Sequence, residues 1–115
     1  MSGTIWSDDP MPRTLEPISP SELASLTAWT LAADGRSLSR RLEFTDFQEA
    51  FAFMTRVALR AEQMDHHPDW RNVWRSVDIS LSTHDAGGLT RLDLELARFI
   101  DRIAPQSHTS RPTPT

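Results

Sequence analysis

The chain has 115 residues, room for one domain and too few for two of ordinary size. It holds no Cys, which excludes a disulfide framework, a thiol nucleophile, Cys-ligated zinc and a Cys-held iron–sulfur cluster. It also holds no Lys, which excludes Schiff-base chemistry and a P-loop, and its net charge of −4 with no basic run argues against a nucleic-acid-binding surface.

Proline placement divides the chain. Pro10, Pro12, Pro17 and Pro20 cluster at the start, Pro105, Pro112 and Pro114 at the end, and Pro68 alone lies between. Both ends are rich in Ser and Thr and poor in apolar residues, so they cannot bury enough surface to offset their ordering entropy. Residues 1–17 and 105–115 are therefore expected as mobile tails around a domain spanning 18–104. No cationic start precedes an apolar run, as a secretory signal would require, and no apolar stretch approaches a membrane span. A soluble, cytoplasmic domain is expected, and a core this thin favours oligomerisation.

Within the domain, Ser19-Pro20-Ser21-Glu22 predicts a helix start, with Ser19 as cap, Pro20 at the first position and Glu22 closing a capping box. Ala28–Ala33 and Ser37–Phe44 flank Asp34-Gly35, a hairpin turn signal, and predict a strand pair. Leu38, Leu42 and Phe44 alternate with polar residues, and Arg40 interrupts the apolar row. Thr45-Asp46-Phe47-Gln48 starts a second helix by the same capping logic. Phe47, Ala50, Phe51, Met54, Ala58 and Ala61 recur at three- and four-residue steps, while Phe53 and Val57 widen the apolar face beyond one stripe. That breadth fits a helix packed across a sheet and against a neighbouring subunit. Pro68 disfavours helical geometry at His67, so the helix must end near Asp65-His66-His67.

Trp70–Trp74 and Val77–Thr83 predict a second strand pair joined near Arg75-Ser76. Val77, Ile79 and Leu81 point one way and Asp78, Ser80 and Ser82 the other, with His84 on the polar face if the strand persists. After Gly87-Gly88, Thr90-Arg91-Leu92-Asp93 forms another capping box, followed by the stripe Leu92, Leu96, Phe99, Ile100 and Ile103. The order α-β-β-α-β-β-α, with strands in hairpins, predicts an α+β domain: a four-stranded antiparallel sheet with helices packed on one face.

His66, His67 and His84 fall at element ends, where rigid structure holds loop residues and function concentrates. Imidazole suits proton transfer near neutral pH, and Glu62, Asp65, Asp69 and Asp85 surround the cluster. Trp70 could offer a flat face to a ring. Simpler roles exist for each: the His pair as helix-end cations, His84 as a polar strand end, Asp93 as a cap, Trp70 and Trp74 as core. A three-His metal site is disfavoured, because the helical His-x-x-x-His spacing is absent and adjacent side chains diverge in an extended segment.

The stretch Ala61-Glu62-Gln63-Met64-Asp65-His66-His67-Pro68-Asp69-Trp70, with Asn72-Val73, Leu81-Ser82-Thr83-His84 and Gly88-Leu89-Thr90 before Asp93, resembles pterin-4a-carbinolamine dehydratases. The resemblance runs from about Asp46 through the last helix, Leu94–Ala104, and is looser over 18–45. It implies the fold just read, assembled as homodimers or homotetramers. It implies removal of water from 4a-hydroxytetrahydrobiopterin to give the quinonoid dihydropterin, recycling the pterin of hydroxylases such as phenylalanine hydroxylase, with no metal or organic cofactor. Animal members also bind a homeodomain transcription factor, so a non-catalytic module binding a hydroxylase or transcription regulator is the alternative.

Carried over residue by residue, the resemblance implies that His66 and His84 act as general acids on the leaving hydroxyl and that His67 binds the pterin. Glu62 and Asp65 would hold the imidazoles, and Asp93 would stand at the active-site edge. Trp70 would border the ring, and Pro68, Ser82, Thr83 and Asp85 would line the site. Gln63 stands where the family often has Lys, and Leu92 where a basic residue can occur.

Overall fold

A computed structural model describes residues 15–105. The expected tails therefore lie largely outside the described residues, but the docked chain reaches back to Glu16, whose carbonyl accepts the Arg91 N–H at 2.9 Å. The elements are α1 (Pro20–Ala24), β1 (Thr30–Leu31), β2 (Leu38–Glu43), α2 (Phe47–Met64), β3 (Asp69–Val73), β4 (Ser76–Leu81) and α3 (Arg91–Ile103), with a 3₁₀ turn at His84–Ala86. The strands form one antiparallel sheet in the order β1-β2-β4-β3, so the two hairpins meet through β2 and β4.

One face of the sheet is apolar and carries the core. Leu38, Leu42, Val77, Ile79 and Leu81 are buried there with Phe53 and Val57 of α2 and Leu94, Leu96, Ala97 and Ile100 of α3. The opposite face pairs Arg41 with Asp78 and Glu43 with Ser76, a polar surface that needs no cover. Arg40 sits on the core side, and the break it makes in the row is resolved by tertiary pairing. Its guanidinium bonds Asp101 of α3, which also accepts the Trp29 indole N–H at 2.8 Å.

The helix ends follow the capping chemistry with one shift. Ser19 and Glu22 close the box of α1, and Thr90 and Asp93 that of α3. For α2 the cap is Asp46 rather than Thr45: Asp46 accepts the Glu49 N–H, and Glu49 accepts the Thr45 N–H. Asp is among the strongest N-cap residues, and Glu49 satisfies the N–H one position before the cap.

Three sequence expectations are corrected. β1 is only two residues long, because the chain turns in early: Trp29 enters the core and Ala32 N–H already bonds Ser37 O across the turn. Trp74 is not core. β3 ends at Val73, Trp74 takes a left-handed φ of 54°, and Asn72 Nδ2 spans the turn to Trp74 O and Ser76 O. The Trp74 ring is exposed beneath the Arg75 guanidinium. Finally, α2 buries the stripe Ala50, Phe53, Val57 and Ala61, and leaves Phe47 and Phe51 exposed. Its apolar arc is wider than one sheet face covers, and packing selects which side goes in.

Candidate active site

The site begins where α2 stops. Asp65 takes a left-handed conformation (φ 54°, ψ 43°), and its N–H and that of His66 bond back to Ala61 O. Asp is among the few residues other than Gly that tolerate this geometry. The reversal separates the adjacent imidazoles: His66 is buried, with 6% of its surface exposed, and His67 faces solvent.

His66 Nε2 lies 2.7 Å from Asp93 Oδ1, and Asp93 is fully enclosed. The other Asp93 oxygen accepts the Thr83 hydroxyl at 2.7 Å and the Thr90 N–H at 3.0 Å, and the two threonine hydroxyls are 2.8 Å apart. Three segments thus converge on one carboxylate: the chain leaving α2, the chain leaving β4 and the first turn of α3. His67 has its own partner, Glu62 Oε1 at 2.9 Å, in the open.

His84 follows Thr83 directly. The strand does not persist to it: β4 ends at Leu81, and His84 opens an exposed 3₁₀ turn closed by Gly87 at φ 72°. Thr83 and Gly88 exchange backbone hydrogen bonds at 2.8 and 3.2 Å, which pins the base of that turn. An exposed imidazole is therefore mounted on a short pinned loop, one residue from the buried network.

A sequence profile described as pterin 4 alpha carbinolamine dehydratase matches residues 16–103. The chain belongs to the pterin-4a-carbinolamine dehydratase family. A Mesorhizobium japonicum protein bearing that dehydratase name is 63% identical over 76 residues, covering 66% of this chain and 78% of the relative. One from Burkholderia orbicola is 58% identical over 84 residues, covering 73% and 82%. A solved structure named transcriptional coactivator/pterin dehydratase, from Brucella melitensis, superposes with a TM-score of 0.72 at 37% identity. It covers 78% of this chain and all of its own.

Within this dehydratase family framework, the structure adds Asp93 to the acidic partners expected. Glu62, expected with Asp65 to hold the imidazoles, bonds His67; Asp93 bonds His66, and Asp65 caps the end of α2. Pro68, Trp70 and Ser82 are half-buried beside these segments, and Asp85 is exposed on the His84 turn. Thr83 lies beneath the surface with its hydroxyl, N–H and carbonyl all engaged. Thr90 was legible only as a helix cap, yet its side chain is buried against Thr83 and its N–H against Asp93. Among the described residues, no group of three His, Cys, Asp or Glu side chains is arranged to hold a metal ion.

Proposed function

We propose that the protein dehydrates 4a-hydroxytetrahydrobiopterin to the quinonoid dihydropterin, in recycling of the pterin used by an aromatic amino-acid hydroxylase such as phenylalanine hydroxylase. The observation that supports it best is the buried His66–Asp93 pair standing next to a solvent-facing His84 and a separately held His67. In a carbinolamine, hydroxyl and nitrogen share one carbon. A protonated imidazole, His66 or His84, gives its proton to the hydroxyl. The C–O bond breaks with its electron pair leaving on water as the nitrogen lone pair closes the C=N bond. A base then takes a proton from the cation, so one proton is consumed and one returned. The reaction needs positioned acid and base groups, with no metal or organic cofactor. His67 holds the pterin and Trp70 borders its ring.

The same reading takes the protein as a cytoplasmic homodimer or homotetramer. Phe47 and Phe51, their rings 5.6 Å apart, and Leu59 form an exposed apolar run on α2 suited to a second copy. The decisive measurement is carbinolamine dehydration by the purified protein beside His66→Ala and His84→Ala. Each variant should slow turnover while staying folded; wild-type rates in both would refute the assignment. The alternative, a non-catalytic module, draws on the coactivator name of the Brucella melitensis structure. It requires binding of a hydroxylase or transcription regulator that survives loss of the histidines, with no pterin turnover.

A further inference from the structure

The hydrogen bonds around Asp93 run in one direction. The Leu92 N–H donates to Thr90 Oγ1 at 3.2 Å, which leaves the Thr90 hydroxyl proton to point elsewhere. The neighbour at 2.8 Å is Thr83 Oγ1. Thr83 in turn donates to Asp93 Oδ2, which also takes the Thr90 N–H. Every other group facing Asp93 is thus a donor, so the carboxylate is the acceptor throughout. A hydroxyl has one proton to give, so fixing the first member of such a chain fixes the rest.

From this we infer that His66 is held as the Nε2–H tautomer, that Thr90 is a positioning residue for it, and that Nδ1 is the nitrogen that exchanges protons with the substrate. Asp93 Oδ1 faces Nε2 at 2.7 Å, and a carboxylate oxygen accepts, so the ring donates there. Among the described residues, Nδ1 has no partner. It is also not among the buried unpartnered atoms, of which Arg60 Nε is the one found among the described residues, so it reaches solvent. A buried imidazole with one nitrogen clamped and the other open can present only the open one to a ligand. When His66 acts as acid, the Nδ1–H bond breaks, the proton goes to the leaving hydroxyl, and the ring returns to neutral Nε2–H without disturbing Asp93. Thr90 acts through Thr83 and Asp93 and touches no substrate.

The assignment of Nδ1 to substrate rests on the dehydratase reading; the tautomer and the part played by Thr90 do not. Long-range ¹H–¹⁵N correlation spectra of the full chain, labelled at histidine, separate them. His66 should show a protonated Nε2 and an unprotonated Nδ1 in the neutral ring. A Nδ1–H tautomer, or an averaged pair of nitrogens, overturns the inference. Adding a dihydropterin without the 4a-hydroxyl should move the Nδ1 resonance and spare Nε2; movement of Nε2 alone overturns the Nδ1 assignment. Thr90→Val should keep the Nε2–H tautomer, which Asp93 holds, but shift the Nε2–H resonance and lower kcat roughly 10- to 100-fold with little change in KM, the signature of a misaimed group. Thr90→Ser, which keeps the hydroxyl, should restore both. A folded Thr90→Val with the wild-type spectrum and kcat removes Thr90 from the chain. If that variant does not fold, Thr83→Val interrupts the same chain one bond later and is read by the same two measurements. Should the wild type show the Nε2–H tautomer but fail to dehydrate a carbinolamine, the functional reading falls and the tautomer stands.

Discussion

His66 and Asp93 lie 27 positions apart, on segments that leave α2 and enter α3, and meet through a 2.7 Å hydrogen bond in the protein interior. The same carboxylate is the third residue of the α3 capping box, so site and helix start share one side chain. Asp93→Ala therefore leaves three donors unmatched: His66 Nε2–H, the Thr83 hydroxyl and the Thr90 N–H. Each unsatisfied buried donor costs about 1–3 kcal/mol, the Thr90 N–H bond of the capping box being one of the three. Urea denaturation should show a loss of at least about 3 kcal/mol. Asp93→Asn, which keeps the volume and one acceptor, should lose less stability yet most of the activity. Equal stability losses in the two variants would show that the carboxylate is not what the three donors need.

Glu22 and Arg91 make the protein acid-sensitive in a defined window. The Arg91 guanidinium bonds both Glu22 oxygens, at 2.7 and 2.8 Å, and holds the Glu22 carboxyl down at about 2, from an ordinary 4.5. A carboxylate with a lowered folded-state pKa stabilises the fold above its unfolded value and loses that contribution as pH falls through the folded one. The contribution is thus whole above pH 4.5 and is lost on acidification toward about 2. Glu22→Gln should flatten the stability-versus-pH curve over that interval and leave its slope near neutrality unchanged. A variant curve parallel to wild type between those values would show that the pair is not linked to folding.

Asp101 is a polar tie between the sheet and α3. It accepts from both Trp29 Nε1 and Arg40. Asp101→Ala removes the acceptor while the partly buried guanidinium stays, at a cost of about 1–3 kcal/mol. Arg40→Met with Asp101→Leu removes both charges and should recover part of that loss. A double variant weaker than the sum of the singles would argue against it. The readout is a double-mutant cycle in thermal denaturation.

Element type and order could be read from local chemistry, because caps, the Asp34-Gly35 turn and the alternation of Val77, Ile79 and Leu81 act over a few residues. What packing decides could not. Whether α2 buries Phe51 or Phe53 depends on where the sheet and α3 lie, and the fate of Arg40 depends on Asp101, 61 positions away. In the site, the three histidines, Glu62 and Asp93 could be nominated from spacing and resemblance. Their pairing could not, because Asp65 and Glu62 are neighbours of His66 in sequence while Asp93 is its neighbour only after the chain has passed through both strands of the second hairpin. Thr90 stayed hidden because a capping threonine looks the same whether or not its hydroxyl has a second partner.

The exposed run on α2 offers a test of the proposed oligomer. Phe51 is 54% exposed and Leu59 63% exposed in the single chain, and neither contributes to the core. Phe51→Glu should therefore leave the monomer folded while charging the surface offered to a second copy. Sedimentation should show a smaller species than wild type at equal concentration. An unchanged sedimentation coefficient, with wild type larger than a monomer, would place the interface elsewhere.

His67 and His66 should fail in different ways. His67 lies in the open, tied to Glu62 by a 2.9 Å contact between two exposed side chains, a pair worth little to stability in water. His66 is buried and anchored. A group that binds substrate equally before and during reaction changes KM, whereas one that moves a proton in the transition state changes kcat. His67→Ala should therefore raise KM for the carbinolamine and leave kcat within a few-fold, with no measurable change in denaturation midpoint. His66→Ala should lower kcat by roughly 10²–10⁴-fold, the usual contribution of a positioned acid, and lower stability as well, since Asp93 loses a buried donor. Glu62→Gln should follow His67→Ala in direction with a smaller effect, because it perturbs only the orientation of the ring. Steady-state kinetics on the three variants separates the roles; a kcat loss in His67→Ala as large as in His66→Ala would make both imidazoles acids and leave the pterin to be held by other groups.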